Sequence, residues 1–153
     1  AYEMLRSLVG SEMCIRDRDN TLVRHNEPAT SRAIQLMEHL KSIGFKICLV
    51  SNNKEPRVAA FNKKMKVNYI YKAGKPSKKG YLRAMKEINC TVENTMAVGD
   101  QIYTDIIGSA SLGIHTILVK PIDTSHEEFQ ITLKRIIEKP FIFYFKKRHG
   151  IVR

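Results

Sequence analysis

A chain of 153 residues, 43% apolar and 27% charged, has the size and mix of one folded domain, which excludes a wholly disordered polypeptide. No apolar stretch reaches the ~18–20 residues of a membrane span. Twenty-six Lys and Arg against 15 Asp and Glu leave a net charge of +11, which points to an anionic partner: phosphate esters, acidic lipid headgroups or nucleic acid.

The first stretch of strand length, Glu12–Arg18, runs into an acidic pair, Asp17 and Asp19. Thr30 and Ser31 are candidate caps for a helix through Ile34, Leu36, Met37, Leu40 and Ile43, which Gly44 can end. Phe45–Val50 is a compact apolar run that closes on Ser51-Asn52-Asn53. Helical character returns at 54–65, followed by a short strand at Val67–Tyr71. A Gly/Pro/Lys loop, Ala73–Ser77, precedes a helix at about 78–88. Thr95–Val98 is a further strand ending in Gly99-Asp100, then a helix is predicted at about 103–112 and a strand at Thr116–Val119. This alternation predicts an α/β domain, Rossmann-like, with a mostly parallel sheet covered on both faces. Ligands in such sheets sit outside the carboxyl ends of the strands, where the polar clusters of this chain fall.

Three cysteines (Cys14, Cys48, Cys90) lie far apart without a CxxC pair, and read as reduced thiols of a cytosolic-type compartment. The histidines show no metal-ligand spacing. The first residues lack a positively charged start followed by an apolar core, so no secretory signal is expected.

Each polar cluster has a functional and a plain structural reading. Two carboxylates at i and i+2 share one side of an extended strand, so Asp17 could face a phosphorus atom while Asp19 reaches the leaving oxygen. Taken alone, such a pair more often marks a surface turn. Asp100 and Asp105, around a strand end and helix start, suit a hard divalent cation. Equally, Asp100 or Thr104 could cap the helix, with Asp105 complementing its dipole. Ser51 could donate its hydroxyl to phosphoryl oxygens or cap the helix at 54–65. Lys75 could neutralise an anion, although a loop lysine is usually solvated.

Taken together, "DNTLV", "LVSNN", "YKAGKP" and "VGDQIYTDIIGSASLGIHTILVKPI" resemble the haloacid dehalogenase phosphohydrolases, specifically the YqeG family of class IIIA phosphatases. The resemblance covers roughly residues 19–125. It implies a three-layer core and an Mg²⁺-dependent phosphatase that works through an aspartyl-phosphate. By that resemblance Asp17 matches the nucleophile and Asp19 the acid/base. Thr21, which shapes the loop, and Asn52 match substrate-binding residues, Ser51 matches the phosphoryl hydrogen-bond donor, and Lys75 the charge-offsetting cation. Asp100 matches the main metal carboxylate besides Asp17, the Asp19 carbonyl completes the protein ligands, and Asp105 is an additional acid. Relatives in this family include phosphatidylglycerophosphate phosphatases, which implies a lipid phosphate as substrate.

Residues 1–18 depart from that pattern. A central parallel strand is normally apolar, yet Arg16 and Arg18 flank Asp17. The stretch "SLVGSEMCIRDR" looks like translated sequencing-adapter sequence, so residues 1–18 are expected to be a non-native leader supplying a poor first strand, with the native start missing. Asp17 would then match by accident. The expected division is therefore 1–18 leader, 19–125 phosphatase core and 126–153 C-terminal helix and tail.

The intervals between Asp17, Ser51 and Lys75 hold a helix or two elements and no inserted cap domain. An open site favours large or surface-bound phosphoesters. Residues 134–153 carry seven Lys/Arg against Glu138, around Phe141–Phe145. That pattern suits an anionic membrane surface, with solvated lysines over packed aromatics as the plain alternative. Nucleic acid is the less favoured partner, there being no RNA motif. A cytoplasmic protein, peripheral at the inner face of the membrane, is expected. The competing reading is a catalytically impaired module that binds membrane or RNA through the tail.

Overall fold

All five expected strands form in the computed structural model, which describes residues 21–23, 28–122 and 140, together with the backbone of 13–16. They are β1 (Met13–Arg16), β2 (Lys46–Val50), β3 (Asn68–Ile70), β4 (Thr95–Gly99) and β5 (His115–Leu118), all parallel, in the order β3-β2-β1-β4-β5. The segment least suited by sequence to the sheet's centre is thus the one that occupies it. Arg16 stands in register with Leu49 on one side and Val98 on the other. The order reverses between β1 and β4, and this is the point where an open α/β sheet leaves a crevice at its carboxyl edge.

The helices explain themselves locally. In α1 (Ser31–Ser42), Thr30 is extended and its hydroxyl accepts the Ala33 N–H at 3.2 Å, a side-chain N-cap. Ala33, Met37 and Leu40 make its buried stripe, and Gly44, at φ +93°, lets the chain leave the last turn. α2 (Glu55–Met65) starts after Lys54 with Pro56 in its first turn and without a side-chain cap. It ends at Lys66 in the left-handed region, where Asn62 bonds both the N–H and the carbonyl of Val67. α3 (Lys78–Glu87) is capped by Ser77.

Period-two alternation in β2 divides the core. Ile47 and Leu49 pack with Met37, Leu40, Phe61 and Met65 of α1 and α2. Cys48 and Val50 pack on the opposite face with Tyr81, Ala84 and Met85 of α3. All five residues of β4 are buried, as a strand covered on both faces requires. Among the described residues between Met13 and Ile122 the crossovers carry short helices and no inserted cap domain.

The helix expected at 103–112 differs in its beginning. Residues Ile102–Ile106 form one widened, π-helical turn before a short α4 (Ile107–Ala110). The carbonyl of Gln101 accepts both the Asp105 N–H (2.9 Å) and the Ile106 N–H (3.3 Å). The extra residue in this turn swings Asp105 back over Gly99, where a Cβ would lie 2.4 Å from that of Asp105. Only glycine fits there.

The acidic residues Asp17 and Asp19 lie outside the described residues, as do residues 1–12 and, apart from Pro140, the tail from 123 onward.

Candidate active site

The loops after β2 and β3 are zipped together beyond the strands themselves. Ser51 N–H donates to Ile70 O (2.9 Å), Ala73 N–H to Ser51 O (3.0 Å) and Lys72 N–H to Asn53 O (2.9 Å). The side chain of Asn52 then receives the Lys75 N–H at 2.7 Å and donates to the Lys75 carbonyl at 3.1 Å. The Lys75–Pro76 peptide is cis.

Ser51 is buried and does not cap α2, which begins after Lys54. Its Oγ accepts from the backbone N–H of Asn53 (3.2 Å) and from Asn53 Nδ2 (3.0 Å). With both lone pairs occupied, what the hydroxyl has to offer is its own hydrogen. Arg57 donates to Asn53 Oδ1 (3.0 Å), which fixes the end of that amide turned toward Ser51. A hydroxyl left to donate in this way suits a phosphoryl oxygen.

Lys75 is 8% exposed, not solvated, and its Nζ lies 2.6 Å from Asp105 Oδ1 in a pair buried on both sides. The other oxygen of Asp105 accepts the Gln101 N–H at 3.1 Å, the backward reach of a capping box lengthened by one residue. Asp105 therefore serves the turn and the lysine together. The widened turn is braced from behind. The Tyr81 hydroxyl lies 3.1 Å from the carbonyls of both Thr104 and Asp105, and Ser109 Oγ donates to Asp105 O at 2.6 Å. Gly108 leaves room for this contact, since a Cβ there would meet the Tyr81 ring at 2.9 Å. Thr104 caps nothing; its hydroxyl bonds the Gln101 side chain.

Asp100, 3% exposed, accepts a hydrogen bond from Thr21 Oγ1 at 2.9 Å, across 79 residues of sequence. That bond ties the loop after β1 to the end of β4. Bonds thus connect the described members of all four motifs: Thr21 with Asp100, Asn52 with Lys75, and Lys75 with Asp105. The roles of Tyr81, Gln101, Ser109 and Arg57 escaped the sequence reading. Each acts on a partner's backbone or amide, and a hydrophobic pattern carries no such signal.

The donor set fits a hard divalent cation in kind. Asp100 offers a buried carboxylate, oxygen being what such ions select, beside a neutral hydroxyl. Among the described residues no group of three or more His, Cys, Asp or Glu gathers to hold a metal. Further ligands would have to come from the acidic loop after β1. Also among the described residues, no helix is long and apolar enough to cross a membrane.

The family model of haloacid dehalogenase-like hydrolases matches residues 2–113. The probable phosphatase YqeG of Bacillus subtilis (strain 168) is 38% identical over 138 residues, covering 90% of this chain and 80% of that protein. Among solved structures, NagD of E. coli K-12 superposes with a TM-score of 0.61 at 14% identity, covering 77% of this chain and 93% of that one. The cobalt-bound deoxy-D-mannose-octulosonate 8-phosphate phosphatase of Haemophilus influenzae gives 0.54 at 15% identity over 61% of each. At such identities the two structures speak for the fold alone. Phosphatases of the family generally use a divalent metal, in keeping with the donor chemistry around Asp100. The four linked motifs and the match over most of the sequence agree: the chain belongs to the haloacid dehalogenase-like hydrolases, as a phosphatase of the YqeG family.

Proposed function

We propose that the chain is an Mg²⁺-dependent phosphomonoesterase of class IIIA that works through an aspartyl-phosphate on Asp17. The observation that carries the reading is the buried Lys75–Asp105 pair, which joins the loop gripped by Asn52 to the turn that follows Asp100. An anionic carboxylate attacking an anionic phosphate needs its repulsion offset, and Lys75 brings a cation held in low dielectric. A carboxylate oxygen of Asp17 attacks phosphorus, and the bond from phosphorus to the ester oxygen breaks. Asp19 gives its proton to that oxygen, then takes one from the water that attacks the acyl phosphate, releasing inorganic phosphate. Ser51 and Lys75 hold the phosphoryl oxygens, and Asn52 and Thr21 fix the loops around them. Asp100, with Asp17 and the Asp19 carbonyl, would hold Mg²⁺, with Asp105 next to them. The ion would supply charge neutralisation at the phosphate.

A lipid phosphate of the phosphatidylglycerophosphate type is the substrate we propose, at a membrane surface reached through the basic tail. Turnover of p-nitrophenyl phosphate tests the chemistry. It is expected with Mg²⁺, is abolished by EDTA, and is lost in Asp19→Asn with the circular dichroism spectrum unchanged. Full activity in that variant, or activity indifferent to chelation, refutes the mechanism. A second reading follows from Arg16 and Arg18 beside Asp17: a catalytically impaired module that binds anionic surfaces. It is favoured if turnover is absent while vesicle or RNA binding persists.

A further inference from the structure

We infer that Asn52 is a positioning residue that holds Lys75 in place by gripping its backbone, and not a contact to substrate. The inference rests on the phosphatase reading above for what Lys75 does, but the grip itself is geometric. The Asn52 amide meets the two backbone groups of one residue, 23 positions away. Oδ1 takes the Lys75 N–H at 2.7 Å, and Nδ2 gives to the Lys75 carbonyl at 3.1 Å.

Only a carboxamide satisfies both groups at once; a carboxylate would set an oxygen against the carbonyl, and an apolar side chain would leave both unmet. These two bonds use one donor and one acceptor of the Asn52 amide on Lys75, and the kinetic test below decides whether its second N–H serves a phosphate. The Lys75 side chain leaves this fixed backbone to reach Asp105 at 2.6 Å, in a pair whose side chains are 4% and 6% exposed. A long, flexible lysine chain placed so deeply depends on where its Cα starts.

The same device occurs once more among the described residues, which supplies an internal control. Asn62 grips Val67 in the same two-point manner, with Nδ2 to O at 2.6 Å and N–H to Oδ1 at 3.1 Å. That clamp closes the end of α2 and touches none of the four motifs. Loss of either clamp costs the protein a similar pair of hydrogen bonds, but only one of them carries the lysine.

Two measurements on the full chain separate the roles. Reductive methylation resolved by peptide mass spectrometry reads the accessibility of the Lys75 ammonium and needs no activity. Asn52→Ala is expected to raise the labelling rate of Lys75 about tenfold, and Asn62→Ala to leave it at the wild-type rate. With p-nitrophenyl phosphate, Asn52→Ala is expected to lower kcat about tenfold with KM within twofold. It should add nothing in a Lys75→Ala background. Lys75 protection unchanged in Asn52→Ala overturns the proposal, as does a raised KM with kcat intact, which would make Asn52 a substrate contact. If Asn52→Ala does not fold, Asn52→Asp decides, since it keeps the shape and one bond; unaltered labelling of Lys75 there overturns the clamp. Absence of turnover in the wild type refutes the phosphatase reading alone, and the labelling comparison still judges the grip.

Discussion

The ammonium of Lys75 and the carboxylate of Asp105 meet at 2.6 Å with almost no access to water, so neither can be neutralised by solvent if the other is removed. Desolvation makes such a pair a poor source of net stability, whereas removing one member takes a counterion from a buried charge. Asp105→Asn should therefore destabilise the fold by about 3–5 kcal/mol. The corresponding fall in Tm is roughly 10 °C, readable by calorimetry. Lys75→Met should cost a comparable amount, whereas the double change Lys75→Met/Asp105→Leu should recover much of the loss. A double variant as unstable as the sum of the two singles would show no coupling between the two residues and would refute the pair as the cause. All three are expected to lose turnover, which would separate the pair's catalytic part from its structural one.

At the scale of elements, β2 and β1 make opposite demands on their residues. Cys48 in β2 is fully enclosed, and burial, with a smaller contribution from the Glu87 charge, pushes its thiol up from 9.0 to about 12. A raised pKa in the folded state means that stability from the neutral thiol is whole below pH 9. It declines as pH rises toward 12, because the unfolded chain releases that proton first. Wild type should thus lose stability across pH 9–12 more steeply than Cys48→Ala. Iodoacetamide should leave Cys48 unlabelled at pH 8 until denaturant is added, since the thiolate is the reactive form; equal slopes in the two proteins would contradict the assignment. In β1 the register sets Arg16 between Leu49 and Val98, which are buried, where a central parallel strand favours an apolar residue. On strand position alone, Arg16→Val is expected to raise Tm by several degrees. A lower Tm would show that this arginine is native to its place.

The whole molecule was legible from sequence to the extent that its information is local. The alternation in Lys46–Val50, the cap at Thr30 and the left-handed exit at Gly44 each advertise themselves within a few residues, so the strands and helices fall where their patterns put them. Ser51, Lys75, Asp100 and Asp105 stand out as candidates because they follow strand ends. The grip of Asn52 on Lys75, the brace from Tyr81 and the Lys75–Asp105 pair arise from meetings 23 to 30 residues apart, which local pattern cannot encode. Topology now sets a requirement on the substrate. Among the described residues between Met13 and Ile122 no separate domain folds over the carboxyl edge of the sheet, which on the phosphatase reading leaves exclusion of water to whatever brings the phosphate. A phosphate presented at an interface meets that requirement, and the +6 charge of residues 134–153 would draw the chain to an anionic one, at about 1 kcal/mol per cation. Phosphatidylglycerophosphate in anionic vesicles should accordingly be turned over at least tenfold faster, in kcat/KM, than a short-chain soluble analogue. Removing residues 134–153 should erase that preference and vesicle co-sedimentation while leaving p-nitrophenyl phosphate hydrolysis within twofold. If the truncated chain keeps the full vesicle preference, the tail is not what brings the open site to its substrate.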